Sequence, residues 1–270
     1  MNMDAIPIGG LFAGTVIVIL VAIEAGYLLG RVAHRHAEKE KVPPVSSMAG
    51  SILGLLAFML AFTFGMVSSR YDSRKALVRQ EANAIGTTYL RADFLPEPDR
   101  GQSQGLLRKY VDDRLGAAAS RDPEKIQQAL VEAARIQRQL WEVAVKNARQ
   151  DPHSHVAALY VESLNAVIDV HALRVAVGLQ SRVPNGIWMV LYALIVLGML
   201  AVGFHTAIAG SRRSWASPIL ACSFAVVLCL IGSLDRPLSD FVSVSQRSLA
   251  NLRASMEAGV DAPGDAGPRP

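Results

Sequence analysis

Cysteine is scarce in this chain of 270 residues, and the usual motifs of enzyme sites are missing from it. The two cysteines, Cys222 and Cys229, lie in one apolar stretch, where a helix would hold them too far apart for a disulfide. The sequence has no glycine-rich phosphate loop, no His-Glu-x-x-His or paired-cysteine metal spacing, and no Gly-x-Ser-x-Gly turn. We therefore expect no bound metal, no cofactor and no enzymatic activity.

Charged residues are also sparse, at 19% of the chain against 51% hydrophobic residues, and the mean hydropathy is +0.28. The apolar residues concentrate in four windows, each of which holds at most one ionisable side chain. At a helical rise of 1.5 Å per residue, about 20 residues cross the roughly 30 Å hydrocarbon core of a bilayer. The composition predicts a membrane protein whose partner is the lipid bilayer and not a nucleic acid. Its four transmembrane spans should lie at about 9–30, 47–69, 187–209 and 215–234.

The second span is followed by charged sequence without a helix breaker. Charged residues begin at Arg70, and neither Pro nor Gly intervenes there. We predict one long helix that leaves the membrane and enters water. Residues 70–185 show helical spacing of apolar residues and no alternation typical of strands. The predicted fold is an all-α membrane protein with four transmembrane helices, in which a soluble helical bundle inserted between spans two and three continues both of them.

Proline marks the predicted breaks of the bundle. Leu95-Pro96 should end the long helix, and Asp122-Pro123 and Asp151-Pro152 each combine an N-cap acid with Pro at the first helical position. The resulting divisions are 1–69 for the first two spans, 70–185 for the bundle, 186–234 for the last two spans, 235–258 for a juxtamembrane amphipathic helix and 259–270 for a disordered tail.

Small residues recur every three or four positions along span two. This spacing places them on one helix face, where another helix can approach closely. Phe58 and Phe62 share a neighbouring face. The small residues predicted to pack against another helix are Gly50, Gly54, Ala57, Ala61, Gly65 and Ser68.

Two ionisable residues within the spans are candidates for function. Glu24 is the only acid in a span, and an ionisable group at membrane depth is a functional candidate unless it reaches toward the headgroups near Arg31. His205 lies in the last part of span three, where it is either a proton-linked or ligand-binding group or a polar residue near the headgroups. The sequence leaves both alternatives open for each residue.

Basic residues flank the first span asymmetrically. No Lys or Arg precedes this span, whereas four lie between residues 31 and 41. Because positive residues favour the cytoplasmic side, the N-terminus is predicted to be outside and the short loops 31–48 and 210–214 inside. The bundle and the C-terminus would then be extracytoplasmic.

Four stretches in combination resemble a known family, and they cover most of the chain from the second span onward. They read FMLAFTFGMVSSRYDSRKALVRQEANAIGTTYLRADFLPEP, LLRKYVDDRL, HALRVAVGLQSRVPNGIW and LDRPLSDFVSV. These stretches resemble those of the bestrophin-like membrane proteins of bacteria, a family without an assigned activity. This resemblance implies a bacterial cytoplasmic membrane location.

The family name reflects a more distant similarity to bestrophins, which are oligomeric anion channels. That similarity implies a homo-oligomer that conducts a small anion, with span two lining the pore through Phe58, Phe62 and Gly65. It implies a basic vestibule formed by Arg70, Arg74 and Lys75, and it places the helical bundle in the cytoplasm, opposite to the side that the basic flanks predict. Two alternatives remain open. Phe58 and Phe62 could pack in a four-helix core, and the protein could be a non-conducting membrane sensor or scaffold whose bundle binds a ligand or partner.

Overall fold

The computed structural model describes residues 7–36, 45–120, 122–210, 215–236 and 242–258. These residues form helices and connecting turns, without a strand, which confirms the all-helical fold class. The α-helices are α1 (Ile8–His36), α2 (Val45–Arg91), α3 (Asp99–Ser120), α4 (Pro123–Gln150), α5 (His155–Val175), α6 (Asn185–Ile208), α7 (Ala216–Asp235) and α8 (Arg247–Ala258).

The predicted long helix is confirmed as α2, which runs for 47 residues from Val45 to Arg91. A short 3₁₀ turn, Ala92–Phe94, follows it and ends before Pro96, where the sequence predicted the break. Asp122 caps α4 as expected, since its side chain accepts a hydrogen bond from the backbone N–H of Glu124.

The predicted start of α5 at Asp151-Pro152 is wrong. Asp151 accepts a hydrogen bond from the backbone N–H of His153 (3.2 Å), which closes a turn ahead of the helix. The N-cap is Ser154, whose hydroxyl accepts from the backbone N–H of Ala157 at 3.2 Å. The helix therefore begins at His155.

The chain divides into two compact units. The first, here called the apolar unit, comprises residues 1–71 and 182–243, and the second, the bundle unit, comprises residues 72–181 and 244–270. In the apolar unit, α1, α6, α7 and the first part of α2 share one core. Its fully buried side chains include Ile19, Leu56, Leu191, Ile195 and Leu228.

Three glycines bring α1 and α6 into close backbone contact. A Cβ atom at Gly26 would overlap the backbone of Leu200, and one at Gly203 would overlap the backbone of Ile23. A Cβ atom at Gly30 would lie 2.7 Å from the carbonyl oxygen of Phe204, which is also too close. Only residues without a side chain allow this contact.

The core of the bundle unit is built from the end of α2 and from α3, α4, α5 and α8. It includes the buried residues Ile85, Leu107, Tyr110, Ile136 and Tyr160. The amphipathic helix expected within 235–258 is shorter, since α8 covers Arg247–Ala258. Its apolar side packs into this core through Leu249 and Met256. The predicted disordered tail lies outside the described residues.

Among the described residues, five helices are long and apolar enough to cross a membrane, one more than the sequence predicted. Four of them overlap the predicted windows, and the fifth is His155–Gly178 in the bundle unit. Several membrane-spanning helices are thus present, in agreement with a multi-pass membrane protein.

Because α1 and α6 are in close backbone contact, adding a single methyl group at this contact should strongly lower the stability of the protein. Gly203→Ala should lower the stability of the protein by about 1–3 kcal/mol, because the added Cβ must push the two helices apart. Thermal unfolding in detergent measures this change. Gly14→Ala is the matched control, since a Cβ there meets nothing within 4 Å. Equal melting temperatures for the two variants would contradict the prediction.

Candidate functional site

The face of α2 that carries Phe58 and Phe62 is exposed in the single chain. The two phenyl side chains are 66% and 57% exposed. The opposite face of the helix holds Leu56, Leu60 and Val67, which are buried in the core of the apolar unit. The alternative in which Phe58 and Phe62 fill a four-helix core is therefore wrong for one subunit.

The small residues of span two lie on this same exposed face. A Cβ atom at Gly50, Gly54 or Gly65 would meet nothing within 4 Å. Ala57 and Ala61 are exposed as well. Among the residues that the structure describes, no helix packs closely at Gly50, Gly54 or Gly65, and close backbone contact is made instead by glycines of α1 and α6. We call the set Gly50, Gly54, Ala57, Phe58, Ala61, Phe62 and Gly65 the open face.

The open face differs in composition from the exposed surfaces of the neighbouring helices. Those surfaces carry large aliphatic side chains, such as Val21 and Leu29 on α1, Met189 on α6 and Val226 on α7. Large aliphatic groups suit contact with lipid, whereas glycine and alanine are enriched where helices pack against helices in membranes. The composition therefore favours contact with protein for the open face.

The three predicted vestibule residues differ in their surroundings. In the apolar unit, Arg70 lies 3.5 Å from the carboxylate of Asp235. In the bundle unit, Arg74 is buried and Lys75 is exposed. In one subunit Lys75 is exposed, the side chain of Arg70 is 27% exposed, and Arg74 is buried.

Asp235 joins three segments of the apolar unit, a role that sequence reasoning did not assign. Its carboxylate accepts a hydrogen bond from the backbone N–H of Val183 (3.0 Å) and faces Arg70 of α2. Its carbonyl oxygen accepts from Arg182 at 2.8 Å. The end of α7 is thereby fixed to α2 and to the segment before α6. The stretch LDRPLSD contains Asp235 and was one of those that carried the resemblance.

Glu24 and His205 occupy different environments. Glu24 lines a cavity of about 540 Å³ between α1, α6 and α7, together with Tyr27 and Ser217. His205 lies in the last turn of α6 and is exposed.

A buried polar network occupies the bundle unit, centred on the fully buried Glu81 of α2. The carboxylate of Glu81 accepts hydrogen bonds from Arg174 of α5 and from the hydroxyl of Tyr110 of α3, the latter at 2.9 Å. Arg114 lies 3.3 Å from the same carboxylate. Arg174 also donates to the side-chain oxygen of Gln246 at 2.7 Å. Three helices therefore meet at one carboxylate, and Gln246, which precedes α8, is joined to it through Arg174.

The surroundings of Tyr110 determine which group donates and which accepts each hydrogen bond of its hydroxyl. Its hydroxyl lies 2.8 Å from Nδ1 of His171 and 2.9 Å from Glu81. Glu81 faces two guanidinium groups, so it is ionised and can only accept. Tyr110 therefore donates its one proton to Glu81 and accepts from Nδ1–H of His171. Burial raises the pKa of Tyr110 well above its ordinary value, and the Glu81 carboxylate raises it further, which keeps the hydroxyl protonated.

The sequence holds a signal for this network that was missed. Val78, Glu81, Ala82 and Ile85 lie three and four positions apart, so the acid falls within an apolar stripe. An acid on a buried face needs cationic partners. The structure places His171 and Arg174 of α5 among the partners of this acid and of Tyr110.

Comparison with known proteins identifies the family. A family model for the bestrophin-like domain matches residues 16–249. The chain belongs to the bestrophin-like family. This confirms the resemblance drawn from the sequence, and the match includes both the open face and the Glu81 network.

Solved structures share the bestrophin-like fold at low sequence identity. A bacterial bestrophin homolog from Klebsiella pneumoniae carrying a point mutation is 13% identical, with a TM-score of 0.63 over 92% of this chain and 99% of that chain. Another structure of a homolog from that organism, obtained with zinc phasing, is 15% identical, with a TM-score of 0.57 over 88% and 98%. No curated protein matches the chain.

Removal of the central carboxylate should destabilise this bestrophin-like protein. Glu81→Gln should lower the stability by about 3–5 kcal/mol, because two largely buried guanidinium groups would lose their counter-charge. Thermal unfolding of the purified protein measures the cost. Glu142→Gln, at an exposed position of α4, is the matched control. A Glu81→Gln variant as stable as that control would show that the network does not stabilise the bundle unit.

Proposed function

We propose that this protein is the subunit of a homo-oligomeric membrane channel for small anions, in which the open face of α2 lines the pore. The observation that carries the proposal is the open face itself, a row of small residues and two exposed phenylalanines on a helix whose other face is buried. Membership of the bestrophin-like family supports a channel and not an enzyme.

The chemistry of the open face suits a narrow pore. Glycine and alanine allow several copies of α2 to approach one axis closely. Rings of Phe58 and Phe62 would then form an apolar constriction, and such constrictions gate by excluding water. Gly65, next along the same face, leaves the space beside the constriction open.

Basic residues of α2 supply the preference for anions in this proposal. Lys75 is exposed and contributes a full positive charge to a basic collar. Arg70 and Arg74 belong to the same collar through their charge, although Arg70 shares its charge with Asp235 and Arg74 is buried.

Four spans in the bacterial cytoplasmic membrane complete the proposal, namely α1, the first part of α2, α6 and α7. The fifth apolar helix, α5, presents His171 and Arg174 to a buried polar network within the bundle unit. Such a helix is stabilised by protein contacts and belongs to the soluble bundle. The basic residues that follow α1 support a cytoplasmic location of the loop after this helix. The bundle would then lie outside the cytoplasm.

An ion-flux assay tests the pore. In liposomes that contain the purified protein, we expect a chloride gradient to dissipate faster than a sodium gradient. The double variant Phe58→Ala with Phe62→Ala should raise chloride flux severalfold, because a wider neck fills with water.

The matched control is Met189→Ala, which removes an exposed apolar side chain from α6, outside the open face, and should leave the flux unchanged. Equal flux through both variants would show that the open face does not line the pore. Absence of flux in inserted, folded protein would favour the sensor or scaffold, and a monomer by light scattering would exclude a pore built from several copies.

Cysteine labelling tests the topology. In a background with Cys222 and Cys229 replaced by alanine, single cysteines are introduced at the exposed positions Asn165 of α5 and Glu142 of α4. A membrane-impermeant maleimide added outside intact cells should label both, because both lie in the extracytoplasmic bundle. Labelling of both only after lysis would reverse the orientation, and failure to label Asn165→Cys under either condition would place α5 in the membrane.

A further inference from the structure

The cavity that Glu24 lines has no role in the proposed pore. It lies between α1, α6 and α7 of the apolar unit, and its volume of about 540 Å³ falls in the range of about 300–1,000 Å³ typical of pockets for small organic ligands. Two of its lining residues, Leu20 and Val21, are exposed on the outer surface of α1. The cavity is therefore open to the hydrocarbon region around the protein.

One end of the cavity lies near the membrane surface. Ser217, in the first turn of α7, lines it, and Trp215 just before this helix is 87% exposed. Exposed tryptophan marks the level of the lipid headgroups. A ligand that enters from the bilayer can therefore keep a polar group at this end and an apolar chain against Leu20, Val21 and Leu220.

Glu24 determines the charge of the ligand that fits. In a largely apolar cavity, a carboxylate is best matched by a cation that donates hydrogen bonds to it. A carboxylate has about four acceptor sites, so it can bind such a donor in addition to protein groups. A primary ammonium group supplies three N–H donors, whereas a quaternary ammonium supplies none and an anionic headgroup is repelled.

We propose that this cavity binds an aminophospholipid, with its primary ammonium group on Glu24 and an acyl chain along the apolar wall formed by Leu20, Val21 and Leu220. In this proposal Glu24 both reaches toward the lipid headgroups and has a function, since it binds a ligand at that level. The two alternatives that the sequence left open for Glu24 are therefore compatible. The site is built within one subunit and does not depend on ion conduction.

Lipid binding to the delipidated full-length protein in detergent tests the proposal. Phosphatidylethanolamine, phosphatidylcholine and phosphatidylglycerol with the same short acyl chains are compared by native mass spectrometry and by thermal unfolding. Phosphatidylethanolamine should bind about tenfold more tightly than the other two and raise the melting temperature most. The variant Glu24→Gln should lose this preference.

A second pair of variants tests the cavity without altering its charge. Leu220→Trp should fill the cavity and abolish phosphatidylethanolamine binding, whereas Val226→Trp, at an exposed position of the same helix, should leave it intact. Three results would overturn the proposal: equal binding of the three lipids, a preference that survives Glu24→Gln, or undiminished binding to Leu220→Trp.

Discussion

The close backbone contact between α1 and α6 is the constraint on which the apolar unit depends. At Gly26, Gly30 and Gly203 the two helices approach so closely that a single methyl group would overlap the opposite backbone. In a bilayer, the hydrophobic effect does not hold apolar helices together, because lipid tails are as apolar as the side chains. Van der Waals contacts along the closely packed line where α1 meets α6, here called the seam, hold the two helices together instead. This seam fixes α1 and α6, and the core formed with α7 then receives one face of α2.

A second set of glycines, Gly50, Gly54 and Gly65, has no close neighbour among the residues that the structure describes. These glycines could support a closely packed contact like that of α1 and α6. Glycine in the middle of a helix costs about 0.5–1 kcal/mol relative to alanine. In the proposed assembly, contacts between copies of α2 would offset this cost. One set of glycines would then serve folding of the subunit and the other its association.

The sequence predicted the elements whose causes are local. The length of α2 followed from the lack of Pro or Gly around Arg70, and the start of α4 followed from Asp122-Pro123. Contacts between residues far apart in the sequence could not be predicted. Glycine spacing shows which helices could pack closely but not which partner faces them, so the packed glycines of α1 and α6 were missed. The Glu81 network joins residues up to 165 positions apart, from Glu81 to Gln246, and no local pattern indicates that Arg174 reaches this acid.

Several charged residues of α2 form ion pairs within the subunit, and these pairs limit the charges that could interact with an ion in a pore. Glu81 neutralises Arg174 within the bundle unit, and Asp235 faces Arg70 within the apolar unit. Both pairs join segments that are distant in sequence, so neither arginine can turn toward an ion without weakening its unit. Arg74 is buried, which leaves Lys75 as the exposed cation among the three vestibule candidates. In a pore lined by α2, Lys75 would therefore be the most exposed positive charge of the basic collar, and the apolar ring of Phe58 and Phe62 would form the barrier to ions.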